Sequence, residues 1–205
     1  MHPKSAYIKA LIVQSDLKYL DEKLRDQNKD PFEALRLLRY MFVVLENFSK
    51  LISETNQLCR NNEKLTENKR AIRKDLNHVV YLRNKVGGHI DEGVLNSVIN
   101  EEPIIFSSDI TPEVECSLAS LRVLDMALNN YTDENGKPLI FGHDIDLVYP
   151  PDNAEFFDWM ENIVMNAMNI TAGILLHLNS QIRRVKSNED LMKQYVEVGL
   201  GKFKA

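Results

Sequence analysis

Little in this 205-residue chain is of the kind that marks a common catalyst or an extracellular scaffold. It holds only two cysteines, Cys59 and Cys116, far apart and without a C-x-x-C companion. Two small apolar residues buried in a reducing compartment are expected ahead of a disulfide. Long hydrophobic runs are missing as well. The best, Ile170 to Leu178, is broken by Thr171 and His177 and is too short to span a bilayer. Met1-His2-Pro3-Lys4 leads into an amphipathic pattern rather than an apolar leader. A soluble cytoplasmic protein with no membrane attachment is expected. The sequence also has no P-loop, no G-x-G-x-x-G, no H-E-x-x-H and no G-x-S-x-G. Most familiar cofactor-dependent and hydrolytic enzymes are thereby removed, and neither a cofactor nor a metal is expected.

With 8 glycines and 7 prolines the chain shows no low-complexity linker and no repeat. One domain over residues 1–205 is expected, with an irregular insertion at 132–151 and a frayed tail at 199–205. A chain of this length buries enough apolar surface to fold without staples.

What fills the sequence is helical periodicity. Tyr7, Leu11, Ile12, Leu17, Leu20 and Leu24 make an apolar stripe for a first helix from Ser5 to Asp26. Asp30-Pro31 is a helix-start pair, and Leu35, Leu38, Phe42, Leu45 and Ile52 recur behind it at helical steps. Met41, Val44 and Phe48 widen that stripe, so this second helix, running to Arg60, should be central. A third helix follows Asn61-Asn62, carries Leu65, Ile72, Leu76, Val79, Val80 and Leu82 inward, and stops at Gly87-Gly88. Glycine's access to the left-handed conformation explains the stop.

A short helix over Glu92–Ile99 and an extended piece at Pro103–Phe106 are expected next. Thr111-Pro112-Glu113 then caps a fourth long helix through Leu128. Asn135-Gly136 signals a turn, and Leu139–Phe141 with Leu147–Tyr149 suit a small hairpin. Asp152-Asn153-Ala154-Glu155 resembles a capping box for a last long helix ending near Arg183, with Ser187 capping a final short one. The class is all-α: an up-and-down bundle of four to five long helices with at most a small β-hairpin excursion.

A net charge of −5 argues against a general nucleic-acid binder, but the charge is unevenly spread. Between Arg60 and Lys85 eight basic residues face three acidic ones, a net of +5, which leaves −10 for the remainder. This basic segment leads into Arg83-Asn84-Lys85-Val86-Gly87-Gly88-His89-Ile90-Asp91. Arg83 and His89 are six apart, so an unbroken helix would leave them about 120° from each other. Ending the helix at the glycine pair lets His89 fold back over the last turn. A cation, an amide and an imidazole at one helix end suit a phosphate and a proton transfer. The plainer alternative is that Arg83 and His89 cap free carbonyls at a helix C-terminus.

Arg83-Asn84 followed by His89 resembles the R-x(4–6)-H motif of the HEPN superfamily, with the polar residue that often follows its arginine. The Arg-Asn-Lys…His-x-Asp form is similar to HEPN proteins of the abortive-infection type. The resemblance rests on a seven-residue motif in an all-α context. It implies a homodimer with the two motifs facing across a cleft, and a metal-independent endoribonuclease of a toxin–antitoxin or antiphage system. RNA is then the substrate and a cognate antitoxin a partner. Within it, His89 would move the proton of a ribose 2′-OH and Arg83 would hold the phosphate and offset transition-state charge. Asn84 would bond sugar or phosphate, or orient His89. Lys85, Arg73 and Lys74 would contact substrate, and Asp91 would do so or orient the imidazole. The superfamily also implies a rival: a non-catalytic helical module that binds a nucleotide or a protein partner.

Other residues carry less. Arg73 and His78 also fit R-x(4)-H but lack the amide and the break, so an ordinary exposed helix pair is expected. His143-Asp144-Ile145-Asp146 reads as a polar loop ahead of a cation site. His177 reads as a satisfied core or boundary histidine, and Trp159 as core or dimer contact.

Overall fold

The computed structural model describes residues 2–26, 31–182, 192, 193, 195 and 196. It is all-α, with seven α-helices and no strand among the described residues. Helix α1 (Pro3–Arg25) packs on α2 (Pro31–Glu54) and on α7 (Pro150–Asn179). Between them in sequence come α3 (Glu63–Ala71), α4 (Arg73–Leu82), a π-turn (Arg83–Gly87), α5 (Glu92–Glu101), a 3-10 turn (Pro103–Phe106) and α6 (Pro112–Asn129). As its wide stripe predicts, α2 is central and touches α1, α4, the π-turn, α6 and α7. Met41, Phe42, Val44, Leu45, Phe48 and Leu51 are all buried along it.

The face α1 buries is rotated from the expected one. Ala6, Ala10, Val13, Leu17 and Leu20 point inward, while Leu11 and Ile12 stand in solvent beside Ile8. Alanines at the inner positions let α1 lie close to α2 and α7, and the bulkier neighbours are left outside. Helix α2 stops at Glu54, six residues short of the expected Arg60. There the Thr55 hydroxyl donates to the Leu51 carbonyl at 2.7 Å, and turns follow to Asn62, whose side chain caps α3. The Asp30 cap lies outside the described residues.

The expected third helix is two helices. They meet at Ile72, which is buried and near the end of the α region at φ −83°, ψ −7°. The break lets α3 pack on α7 while α4 packs on α2. Pro103–Phe106 is a 3-10 turn instead of an extended piece. In place of a hairpin, residues 131–149 form turns with one isolated bridge between Thr132 and Pro138. Gly136 does take the left-handed conformation, with φ +80°. Thr111 caps α6 as expected. Helix α7 starts two residues before the expected capping box, because Pro150-Pro151 supply a first turn lacking amide donors. Asp152 and Asn153 are thereby freed to hold the preceding loop, at Asp146 N (2.9 Å) and the Leu147 carbonyl (3.0 Å). Helix α7 ends at Asn179, and Ser187 with residues 199–205 lies outside the described residues. No described helix is long and apolar enough to cross a membrane. Of the cysteines Cys59 is buried, but Cys116 is exposed on α6, against expectation.

Candidate functional site

Helix α4 carries Leu76, His78, Val79 and Leu82 inward and delivers Arg83 to its end. There the helix widens by one residue. The Gly88 amide donates to the Arg83 carbonyl at 2.9 Å, the five-residue reach that closes a π-turn. The glycine pair ends the helix, but not by the expected left-handed step, since Gly88 sits at φ −91°, ψ −38°. Its role is close approach. A Cβ on Gly88 would lie 3.0 Å from Arg83 Cζ, and one on Gly87 would lie 3.4 Å from the Arg39 carbonyl oxygen and 3.5 Å from Phe42 Cβ. Gly87 thus lets the turn rest on α2, and Gly88 gives the Arg83 guanidinium a bed.

A helix C-terminus leaves carbonyls in need of donors. Here Gly88 N serves the Arg83 carbonyl, Asp91 N serves Lys85 at 2.9 Å, and Arg39 Nε of α2 serves Val86 at 2.8 Å. Capping by Arg83 and His89 is therefore not what this end uses. Arg83 instead donates through Nη1 to Asn84 Oδ1 at 3.1 Å, and its Nε lies 2.7 Å from Glu46 Oε2. That Nε–H points off the line to the oxygen, so charge more than a directed hydrogen bond holds the pair. The other Glu46 oxygen is 2.8 Å from Lys50 Nζ. His89 is exposed just beyond the guanidinium's bed, and among the described residues its ring has no hydrogen-bond partner.

The expected site residues divide accordingly. Arg83 and Asn84 are brought into contact, and His89 follows the glycine on which the guanidinium lies. Asp91 is engaged away from the His89 ring. It accepts from Gly93 N (3.0 Å) and Val94 N (3.3 Å) as the N-cap of α5, and from Lys85 Nζ at 2.8 Å. The Lys85 hydrogen bond and these amides hold its carboxyl below the usual range. Lys85 is in turn partly neutralised. Arg73 and Lys74 are exposed between two and three turns back along α4.

Two contributors were missed, Glu46 and Arg39. They are seven apart on α2 and so share a face. A seven-residue polar spacing beside a buried stripe was the available signal. Arg36, Arg39, Tyr40 and Val43 also border a shallow basin of about 280 Å³ against Gly87.

The remaining histidines are structural. His78 is not an exposed partner of Arg73: it is buried, edge-on to Tyr131 at 5.6 Å and beside Trp159 at 6.5 Å. Burial, then Lys74, pushes its pKa down, so the ring is neutral. His177 meets the Leu58 carbonyl at 2.7 Å, the satisfied boundary role expected. Trp159 packs on Phe156 and Phe141 and donates to Asp75 Oδ1 at 3.2 Å, a core role. His143 lies 3.3 Å from Glu155 Oε2 on an exposed surface. Comparison with family models, with curated proteins and with solved structures finds no match for this chain.

Proposed function

We propose that the chain is a HEPN-like, metal-independent endoribonuclease of toxin or antiphage type, acting as a homodimer. The observation that carries this reading is that three carbonyls of the helix end, those of Arg83, Lys85 and Val86, are served by Gly88 N, Asp91 N and Arg39 Nε instead of by the Arg83 or His89 side chain. His89 is left without a hydrogen-bond partner among the described residues, and Arg83 is engaged by Asn84 and Glu46 at the same helix end. In the proposed reaction His89 takes the proton from a ribose 2′-OH, and O2′ attacks the adjacent phosphorus. The P–O5′ bond breaks, leaving a 2′,3′-cyclic phosphate and a 5′-hydroxyl. The proton needed by the leaving O5′ comes from the partner subunit's His89. Arg83 binds the phosphate oxygens and offsets charge in the transition state, and Asn84 fixes the guanidinium plane through Oδ1.

A second reading is favoured by one contact. Glu46 already occupies one edge of Arg83, as a partner for an arginine that merely holds a nucleotide or protein. The deciding experiment incubates mixed RNA, with chelator present, with the wild type, Arg83→Ala and His89→Ala. Cutting by the wild type alone, with all three folded, supports the nuclease. Silence of all three favours the binding module, and equal cutting removes this motif from the mechanism.

A further inference from the structure

Behind Arg83 the seam between α2 and α4 opens into a groove of about 670 Å³. Ser49, Ser53 and Asn56 line one wall, Arg73 and Asn77 the other, and Arg60, Lys69 and Arg70 the far end. Four cations border it and no carboxylate does. Among the described residues none of the four has an ion-pair partner, whereas Lys50, Arg83, Lys85 and Arg122 all do. Lys69 is the unusual member, at only 7 % exposed. Its Nζ has one bond, to Thr55 Oγ1 at 3.2 Å, and that hydroxyl spends its own proton on the Leu51 carbonyl.

An ammonium buried without a counter-ion is costly, and burial accordingly lowers the Lys69 pKa, so natural chains pair such groups. Cys59, the acidic group beside it, does not serve, because burial pushes its thiol pKa up and keeps it neutral. The negative end of α3 helps Lys69 and Arg70, but a helix end supplies a fraction of a charge against four.

We propose that this groove binds a phosphate group, with Lys69 at its floor and the forks of Arg60, Arg70 and Arg73 around it. Three guanidinium groups and an ammonium suit a tetrahedral oxyanion carrying more than one acceptor edge. The groove is larger than one phosphate, so the ligand is a phosphorylated molecule or a strand. Because α4 runs antiparallel to α2, Arg73 faces Asn56 while Arg83 meets Glu46, about 15 Å further along α4 at 1.5 Å per residue. The proposal does not depend on the chemistry at His89.

The test follows amide and side-chain chemical shifts while inorganic phosphate is titrated at constant ionic strength. The wild type and His89→Ala bind alike. Lys69→Met and the doubly substituted Arg60→Ser, Arg73→Ser protein bind about tenfold more weakly or worse. Lys69→Met removes a buried charge at similar volume, and the double variant alters only exposed residues, so both keep the fold. A second arm titrates a short single-stranded RNA without terminal phosphates. If phosphate competes with it and Lys69→Met weakens it, the bound group is a strand phosphodiester. If RNA ignores both while phosphate still binds, the ligand is a phosphomonoester. Failure of phosphate to bind the wild type saturably, or equal binding by the wild type and both variants, overturns the proposal.

Discussion

Two half-buried arginines in this molecule have opposite surroundings. Arg122 on α6 is met by three carboxylates, Glu102 at 3.1 Å, Asp125 at 2.9 Å and Asp146 at 2.8 Å. Asp125 also accepts from Leu147 N at 3.1 Å, and Asn129 exchanges two 2.8 Å bonds with Ile145. That cluster ties the loop before α7 to α6 and carries a net charge of −2. Arg83 has one carboxylate, Glu46, which it shares with Lys50, so its cluster keeps a net +1 beside an open surface. An arginine surrounded by more negative charge than it can answer is a staple. One left with positive charge to spare still has affinity for an anion.

The contrast breaks most sharply under truncation. Arg122→Ala leaves Asp125 buried and unpaired, and at pH 8 it should lower unfolding free energy by about 3 kcal/mol. Urea titration measures this, and part of the loss should return at pH 5, where Asp125 can take a proton. Arg83→Ala should change stability by less than about 1 kcal/mol, since its pair is half exposed. RNA cleavage should instead fall by about 10²–10³-fold, the scale of one transition-state charge donor. Should Arg83→Ala unfold the protein while Arg122→Ala is silent, the two labels would have to be exchanged.

How much of this could be read from the chain depends on the range of the interaction. Helix starts at Pro31, Thr111-Pro112 and Asn62 are local chemistry and were legible, as was the central stripe of α2. The helix end at Gly87-Gly88 was legible too, because Arg83, Asn84 and the glycine pair sit within one turn and its exit. What stayed hidden was tertiary. Glu46 is 37 residues before Arg83, and nothing local tells an acid on α2 that it faces the end of α4. The break at Ile72 was hidden for the same reason, because α3 and α4 serve different partners. The cap role of Asp91 went unread, because a carboxylate near a histidine invites a site role, while an Asp ahead of Glu92-Gly93-Val94 is equally a helix cap. The phosphate groove needed the fold, since Lys69 looks like one more surface lysine until its burial is known.

A smaller effect sharpens the staple side of the comparison. Burial, which outweighs Arg122 and the Leu147 amide, pushes the Asp125 carboxyl up to about 6 from an ordinary 3.8. The native state therefore binds that proton more tightly than the unfolded chain does. Its contribution to stability is greatest below about pH 4 and declines as pH rises to about 6. Measured as wild type minus Asp125→Asn in urea titrations, the difference should fall by about 1.4 kcal/mol per pH unit across that window and be flat above it. A difference that rises with pH there would mean that Arg122 dominates and the carboxyl is held low.

The smallest effect tests the other arginine. Glu46→Gln removes the one negative charge in the Arg83 cluster while keeping a side chain of the same size. The local charge rises from +1 to +2, so RNA should bind about two- to fivefold more tightly at low salt, with the gain fading as salt is raised. Filter binding with His89→Ala in the background measures affinity without turnover. The alternative outcome is informative in the opposite sense. If Glu46→Gln weakens RNA binding in a folded protein, the carboxylate's role is to aim the guanidinium over Gly88, and its neutralising effect is secondary. Geometry would then outweigh net charge in deciding which arginine is free for a ligand.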